Sequence, residues 1–455
     1  MASLLEPDLA GRDVLVLGAG FSRAASDDFP LTDELGNLVR DQLKELQPSR
    51  WLPQQRFENG SFEAWLTSIA EDQPDLSTGD NEERHALFTR STELTRSILL
   101  DRQGAEPERL PNWLRRFIWL SHCQRSVVIT FNYDTVVEDA VDAAGIDAGP
   151  DARVGRYDVL DHLPPRRFGL QPATEPHPTF DLLKLHGSVD WYWEPRDVTG
   201  ATIAWSPDRR PPGLSPFLTP PAASKSSFYA NPISRELWRR AGSALSETSR
   251  LAIVGYSLPA SDLTVSGMLQ RHLRVDDVEI VVVNPDPEPV SARLIALGFS
   301  RSGITEIGGG DAVASYVAQA EGDASRRLLD RLRSTPSLDR DAPLGLSGLL
   351  GYGRRVDEVR RGPDGPVLVL AENLSHLAMM GRADADPTTV TPGRTMRDLL
   401  DADERPDGTI TALLPDGTLL TIVGHQAREL GEIVRVHLLV PSNGPWAVGP
   451  MPPEN

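Results

Sequence analysis

Short apolar runs recur along the chain, and each one ends in a polar or glycine-bearing stretch. Val14-Leu15-Val16-Leu17 leads into Gly18-Ala19-Gly20-Phe21-Ser22, and Ser126 to Thr130 leads into Phe131-Asn132-Tyr133-Asp134. Phe180 to Leu185 ends at His186-Gly187-Ser188, with Asp190 and Trp191 just beyond. Arg250 to Val254 is followed by Gly255-Tyr256-Ser257-Leu258-Pro259, and Glu279 to Val283 by Asn284-Pro285-Asp286. Unbroken apolar runs of this length mark strands buried on both faces, as in a parallel sheet covered by helices. Another short strand near Ile304 precedes a glycine run at Gly308 to Gly310.

Between these runs the apolar spacing turns helical. Thr32 is placed to cap a helix whose first turn holds Asp33 and Glu34 and whose apolar face includes Leu35, Leu38 and Leu43. Further helices are predicted at Phe62 to Ile69, His85 to Leu100 and Trp113 to His122, with an acidic surface loop from Glu71 to Glu83. This helical insertion, about residues 35–124, is long for a crossover and predicts a lid or small subdomain. Later helices are expected at Thr135 to Ala144, at Pro232 to Ser246 behind an Asn231 cap, and at Asp262 to Arg274, Glu288 to Leu297 and Asp311 to Leu332. Residues 145–180 are rich in Pro and Gly. Asp197 to Ala230 reads as irregular, either an active-site flap or a surface excursion. Strand alternating with helix predicts an α/β protein with a Rossmann-like, mostly parallel sheet, and ligands in such sheets bind at the carboxyl ends of the strands.

The pattern changes after residue 333. Residues 334–355 read as a linker. Beyond it, Val356 to Arg360, Val367 to Leu370, Ile410 to Leu413, Leu419 to Val423 and Ile433 to Leu439 read as short strands, with one short helix at Thr395 to Asp401. Pro-Asp-Gly occurs at 363–365, 406–408 and 415–417, each a turn signal. The expected organisation is a domain over 1–333 and a small β-rich domain over 356–455. His376, His425 and His437 in the latter lack metal-ligand spacing and read as structural histidines.

Charge narrows the choice of partners. The 455-residue chain carries 46 basic and 65 acidic residues, a formal net charge of -19, which argues against binding nucleic acid or acidic membranes through bulk charge. A local basic pocket for a phosphate is compatible with it. Cys123 is the one cysteine, so the chain alone can build neither a disulfide framework nor a four-cysteine zinc site. Residues 1–13 lack a basic start and a long apolar core, and no apolar run approaches membrane-spanning length, so a cytoplasmic location is expected.

The strand-end residues offer specific chemistry. Gly18 and Gly20 allow unusual backbone angles or the close approach of a ligand, and the backbone N–H groups of Gly20, Phe21 and Ser22 are candidates for facing an anion. His186 titrates near neutral pH and can relay a proton. A buried amide such as Asn132 can orient a water or a hydroxyl, and Asp134 can compensate a developing positive charge. Each also has a plain structural reading. His186 can be a strand-end histidine bonded to a carbonyl, Asn132 an Asx turn, and Asp134 the cap of the helix at Thr135. Tyr256 and Trp191 either pack in the core or line a pocket.

In this order, the GAG-S, T-N-D, HG, G-SL and N-D blocks resemble sirtuin-like NAD-binding domains over about residues 10–330. KLHGSVDW and GYSLPASD are similar to the bacterial branch associated with antiphage defence. The resemblance implies that Gly18, Ala19, Gly20 and Ser22 hold the NAD diphosphate and neighbouring ribose, and Phe21 of the same loop is a further cofactor-binding candidate. It puts Thr130, Asn132 and Asp134 at the nicotinamide side, Gly255 and Ser257 at the phosphate and adenosine side, and Asn284 and Asp286 at the adenosine ribose. His186, Asn132 and Asp134 are the implied catalytic residues. Protein-deacylating sirtuins carry a zinc module with two cysteine pairs between the histidine strand and the G-SL block. This chain has none there, so no zinc is expected and deacylation is disfavoured. The family's first loop also departs from its pattern at Asp28-Phe29, before Pro30.

The function implied is an NAD glycohydrolase releasing nicotinamide and ADP-ribose, a regulated effector acting as a homo-oligomer. A partner protein or small-molecule activator would act through residues 356–455. The alternatives are a non-catalytic NAD or ADP-ribose binding module and an ADP-ribosyltransferase.

Overall fold

The apolar runs assemble into one parallel sheet because each is covered on both faces. The computed structural model describes residues 12–46, 48–102, 110–124, 126–143, 180–194, 203–205, 211–219, 231–260, 262–274, 277–320 and 323, together with seven strands nearer the C-terminus. In chain order, the strands up to residue 307 are β1 (Val14–Leu17), β2 (Val127–Thr130), β3 (Asp181–Lys184), β4 (Gly187–Trp193), β5 (Ile203–Trp205), β6 (Ser215–Leu218), β7 (Arg250–Val254), β8 (Glu279–Val283) and β9 (Ile304–Ile307). The helices are α1 (Ala19–Ala25), α2 (Thr32–Leu46), α3 (Ser61–Ala70), α4 (Thr78–Leu100), α5 (Asn112–Gln124), α6 (Val136–Ala143), α7 (Pro232–Glu247), α8 (Leu263–His272) and α9 (Glu288–Ala296). A further helix covers 312–320.

Six strands pair in the order β3-β2-β1-β7-β8-β9, and every pairing is parallel. This is the doubly wound order of a Rossmann-like α/β sheet, whose connections reverse direction between β1 and β7. Leu15, Leu17, Val128, Leu182, Val254 and Val283 face α5, α6 and the 312–320 helix. Val14, Val16, Ile129, Leu183, Ile253 and Val282 face α7, α8 and α9. Two covered faces explain the unbroken apolar runs.

Helices α2, α3 and α4 form a separate core around Leu35, Val39, Leu43, Phe62, Leu66, Leu87 and Ile98, which also takes in Val189 of β4 and Leu218 of β6. Within the insertion, α2, α3 and α4 are therefore a small helical subdomain packed on the ribbon of β5, β4 and β6, itself an antiparallel three-stranded sheet, whereas α5 covers the parallel sheet. Two of the ribbon's strands, β5 and β6, fall within the irregular excursion expected from Asp197 to Ala230, the rest of which lies largely outside the described residues. The sequence pattern hides the ribbon because β4 is buried on both faces and does not alternate. Helix α4 starts at Thr78, ahead of the expected His85. Ser77 and Asp80 form a reciprocal capping box that ends the acidic loop early. Helix α2 begins at Thr32 itself, and the Leu31 N–H donates to Glu34 at 3.1 Å. Asn231 caps α7 as expected, with Pro232 in its first turn.

The C-terminal strands are β10 (Leu344–Ser347), β11 (Arg354–Gly362), β12 (Gly365–Leu370), β13 (Ile410–Leu413), β14 (Leu419–Ile422), β15 (Arg428–Leu430) and β16 (Ile433–His437). They form a seven-stranded sheet in the order β14-β13-β12-β11-β10-β16-β15. Strand β10 lies in the stretch read as linker, where it pairs with β11 and β16. Two of the Pro-Asp-Gly motifs fall in sequence between antiparallel partners, β11 with β12 and β13 with β14. The Pro/Gly-rich stretch expected at 145–180 lies outside the described residues except for Phe180. So do the helix at Thr395 to Asp401 and the end of the helix expected to reach Leu332.

Between β1 and β7 the backbones come into contact. The Gly18 N–H donates to Val254 O at 3.1 Å and the Gly20 N–H to Gly255 O at 2.8 Å. Gly255 has φ +61°, and a Cβ built there would lie 2.2 Å from Phe21 N. Gly255→Ala is therefore expected to lower stability by at least about 2 kcal/mol, since the left-handed backbone alone costs about 1–2 kcal/mol and the clash adds to it. A urea melt should show a lower midpoint at unchanged slope.

Candidate functional site

Strand register brings the polar stretches together. Leu17, Thr130, Lys184, Val254 and Val283 lie on one line across the sheet. The residues that follow them therefore emerge side by side along the carboxyl edge. Asn132 and His186 each come two residues after that line, on the neighbouring strands β2 and β3.

A buried polar network joins the first two stretches. The Asn132 Nδ2 group donates to Gly18 O at 2.8 Å and to Ser22 Oγ at 2.9 Å. Ser22 Oγ donates in turn to Asp134 Oδ2 at 2.7 Å. The other oxygen, Asp134 Oδ1, accepts the Val136 N–H at 3.1 Å at the start of α6. Asp134 thus accepts at the start of α6, as its structural reading expects, while its other oxygen is tied to Ser22. Thr130 Oγ1 accepts the Asn132 N–H at 3.1 Å, so Thr130 sets the bend that turns Asn132 towards Gly18.

His186 sits against aromatic rings. Its ring centroid lies 5.1 Å from Phe131, 6.3 Å from Tyr133 and 6.4 Å from Trp238. Phe131 also packs on Tyr256 at 4.8 Å, and the Tyr256 hydroxyl donates to Asp262 at 3.1 Å. Tyr256 therefore belongs to the wall beside His186. Trp191 is core, buried with Leu185 and Phe217.

The ribbon holds the main chain around His186 on both sides. His186 O accepts the Thr219 N–H at 2.9 Å, and Thr219 O accepts the Tyr133 hydroxyl at 2.5 Å. Tyr133 O accepts the Val189 N–H at 2.9 Å. Gly187 has φ +77°, and a Cβ there would lie 2.0 Å from Phe217 O. His186 is left only 6% exposed. This closure by β6 was not anticipated from the sequence, nor was the buried Lys184–Glu138 ion pair beneath Asp134, with Nζ to Oε1 at 2.9 Å. The lysine in Lys184-Leu185-His186-Gly187 was its one visible sign.

The first loop differs from an anion nest. The Gly20 N–H is spent on Gly255 O, and the Phe21 N–H on Gly18 O at 2.9 Å. The close approach to the loop after β7 takes up the Gly20 N–H, and the turn that opens α1 takes up the Phe21 N–H. Ala19 opens α1. The Phe21 side chain is 0% exposed, packed on Trp113 and Phe117. On the other side of the switch point, Ser257 is exposed, and Arg293 donates to its carbonyl and to Leu258 O at 3.0 Å. Those bonds steady a loop in which Leu258 takes φ +46°. Asn284 is half-buried, its Oδ1 accepting the Asp286 N–H at 3.4 Å, and Asp286 is exposed one strand further out.

Two cavities lie outside this network. One of about 610 Å³, beside the first loop, is lined by Arg23, Asp28, Pro30, Asn37, Arg56 and Arg102. Arg23 ties that loop down through Asp27 O, Phe29 O and Glu34, each at 3.0 Å. The other, about 210 Å³, lies at the amino ends of β2 and β3 among Arg12, Asp181, Arg239, Arg240 and Glu247, away from the polar network. On the helix beside it, hydrogen bonds from Arg239 and Arg240 push the Glu236 carboxyl down to about 2.

The architecture is thus a doubly wound α/β domain with a polar site at the switch point. Residues 126–295 match the model of the SIR2-like domain, which implies an NAD-binding, NAD-processing site. Strand β1 and the first glycine loop precede the matched stretch but lie in the middle of the same sheet. Among solved structures, the chain is similar to Sir2 in complex with the inhibitor EX-527, 2'-O-acetyl-ADP-ribose and a deacetylated p53 peptide. The identity is 13%, covering 71% of this chain and 94% of that one, with a TM-score of 0.30. None of the curated proteins compared matches the chain. Among the described residues, no helix is long and apolar enough to cross a membrane, and no group of three or more His, Cys, Asp or Glu is placed to hold a metal.

Ser22 is the junction of the network, and Ser22→Ala leaves both the Asn132 amide and the Asp134 carboxylate short of a buried partner. A loss of about 1–3 kcal/mol is expected. Denaturant melts of the variant and the parent chain would measure it.

Proposed function

We propose that this chain is an NAD glycohydrolase that cleaves NAD to nicotinamide and ADP-ribose. The observation that carries the reading is the strand-edge alignment of Asn132, bonded to Ser22 and through it to Asp134, beside His186. The SIR2-like match over 126–295 supports NAD as the substrate.

In this reading Asn132 orients the attacking water or a ribose hydroxyl, and Asp134 compensates the positive charge that develops on the ribose. Water forms the new C1′–O bond, and nicotinamide leaves with the electron pair of the broken C1′–N bond. His186 takes the proton released from water and passes it to solvent. Ser22 keeps the amide and the carboxylate in fixed relation. The loops at 18–22 and 255–257 flank the diphosphate, and Asn284 and Asp286 lie on the adenosine side. No zinc enters this chemistry.

An enzyme of this kind needs restraint, because its substrate is always present in cells. The burial of His186 beneath Thr219 and Tyr133 supports a site that must open before it turns over. We assign the protein to the antiphage effectors, active in the cytoplasm as a homo-oligomer and triggered by a partner protein or small molecule acting through residues 356–455. The same burial favours one rival, a non-catalytic module that binds NAD or ADP-ribose. Transfer of ADP-ribose to protein is the other rival.

Nicotinamide release from NAD, measured over a range of protein concentrations, tests the reading. His186→Ala and Asn132→Ala should each remain folded, the latter with a lower melting midpoint, and lose about 10²–10⁴-fold in rate. Steep dependence on concentration supports activation by assembly. Unchanged cleavage in both variants would overturn the site. NAD bound without release in every assembly state, with trigger-containing lysate added, establishes the binding module instead. Label appearing on protein rather than in free ADP-ribose establishes the transferase.

A further inference from the structure

Lys184 and Glu138 are both 1% exposed and paired at 2.9 Å, yet the proposed chemistry uses neither charge. Burying two charges is costly, and an apolar pair of similar volume is often as stable or more so. Glu138 Oε2 also finds no hydrogen-bond partner among the described residues, so the pair is not optimised for stability. The other contact of Lys184 accounts for it better. Lys184 Nζ also donates to the main-chain oxygen of Asp134.

A continuous chain of contacts runs from that bond. The Asp134 carboxylate accepts Ser22 Oγ at 2.7 Å, and Ser22 Oγ accepts the Asn132 amide at 2.9 Å. Lys184 pairs in register with Thr130, so it lies directly behind both Asn132 and His186. Glu138 is one turn beyond Asp134, in the first turn of α6. The ion pair therefore bolts β3 to the helix whose start carries Asp134.

We propose that Lys184 and Glu138 are positioning residues for the Asp134–Ser22–Asn132 network. Glu138 holds the ammonium in place, and the ammonium fixes the Asp134 main chain so that its carboxylate meets the Ser22 hydroxyl and aims the Asn132 amide. The catalytic consequence rests on the NAD-cleaving reading, but the geometric claim stands apart from it.

The test is the full-length double variant Lys184→Met/Glu138→Leu, which removes both charges and keeps the site apolar. Lys184→Met/Glu138→Met replaces it if leucine fails to pack. Three readouts are taken: thermal melting, hydrogen–deuterium exchange and nicotinamide release. Melting should stay near that of the parent chain. Exchange over residues 132–136 should rise about 10-fold or more while the strands of the sheet are unchanged. The kcat should fall about 10- to 100-fold, with KM for NAD within about twofold. A folded double variant with parental exchange over 132–136 overturns the proposal. So does one with parental kcat, because a purely structural pair would leave both unmoved. If the parent chain cleaves no NAD in any assembly state, with trigger-containing lysate added, the glycohydrolase reading fails, and exchange alone decides the positioning role.

Discussion

The contact between the two glycine loops at the switch point constrains the rest of the site. Gly20 and Gly255 meet backbone to backbone, with the Gly20 N–H on Gly255 O and no room for a Cβ at Gly255. Because β1 and β7 are neighbours in the sheet, this contact sets where α1 begins. The start of α1 in turn sets Ser22, four residues beyond Gly18, whose carbonyl opens the first loop. That carbonyl and the Ser22 hydroxyl both receive the Asn132 amide. The glycines are thus explained by chain packing before any ligand is considered, and their spacing is a weaker sign of phosphate binding than of a closed turn.

Buried polar groups make the network demanding in the same way. Within a largely desolvated site, an amide, a hydroxyl and a carboxylate must satisfy one another, since each unpaired member is costly. Asn132 and Asp134 follow β2 while Ser22 lies in α1 just after β1, so the three meet only when these two strands pair in the right parallel register. Register between β1 and β2 is therefore a condition for the site as well as for the core. The aromatic wall around His186 adds a steric condition. Phe131 must lie between the histidine and Tyr256, and so it occupies the strand-end position just before Asn132.

Much of this was legible in the sequence. Strands covered on both faces announce themselves as unbroken apolar runs, and Val14–Leu17, Val127–Thr130 and Arg250–Val254 fall where those runs do. The residues that end each run are the ones that meet at the carboxyl edge. What stayed hidden has specific causes. Strand β4 is buried on both faces but mixes Ser188, Asp190, Trp191 and Tyr192, so neither alternation nor an apolar run marks it. The start of α4 is set by Ser77 and Asp80, in a stretch that reads as acidic loop until the reciprocal bonds are seen. Lys184 looks like a polar strand end, and its pairing with Glu138 is a contact 46 residues away that no local pattern encodes. The sequence singled out the Phe21 backbone, and nothing in its local pattern showed that the β1–α1 turn points its ring into the core.

The helical insertion is coupled to the histidine through the ribbon, not through the sheet. Arg96 of α4 donates to Val189 O at 2.8 Å, and its guanidinium lies 4.8 Å from the Tyr192 ring centroid. The Val189 N–H is bonded to Tyr133 O, beside Asn132 and Asp134. Leu218 of β6 packs in the insertion's own core, and the next residue, Thr219, bonds the His186 carbonyl. A movement of α2, α3 and α4 as a unit would therefore act on β4 and β6 first, and through them on both sides of His186. The parallel sheet, packed on both faces, would stay as it is. A rigid sheet that carries the chemistry, with a separately cored subdomain that holds the ribbon closed, is an arrangement in which access can change without disturbing the geometry of Asn132, Ser22 and Asp134.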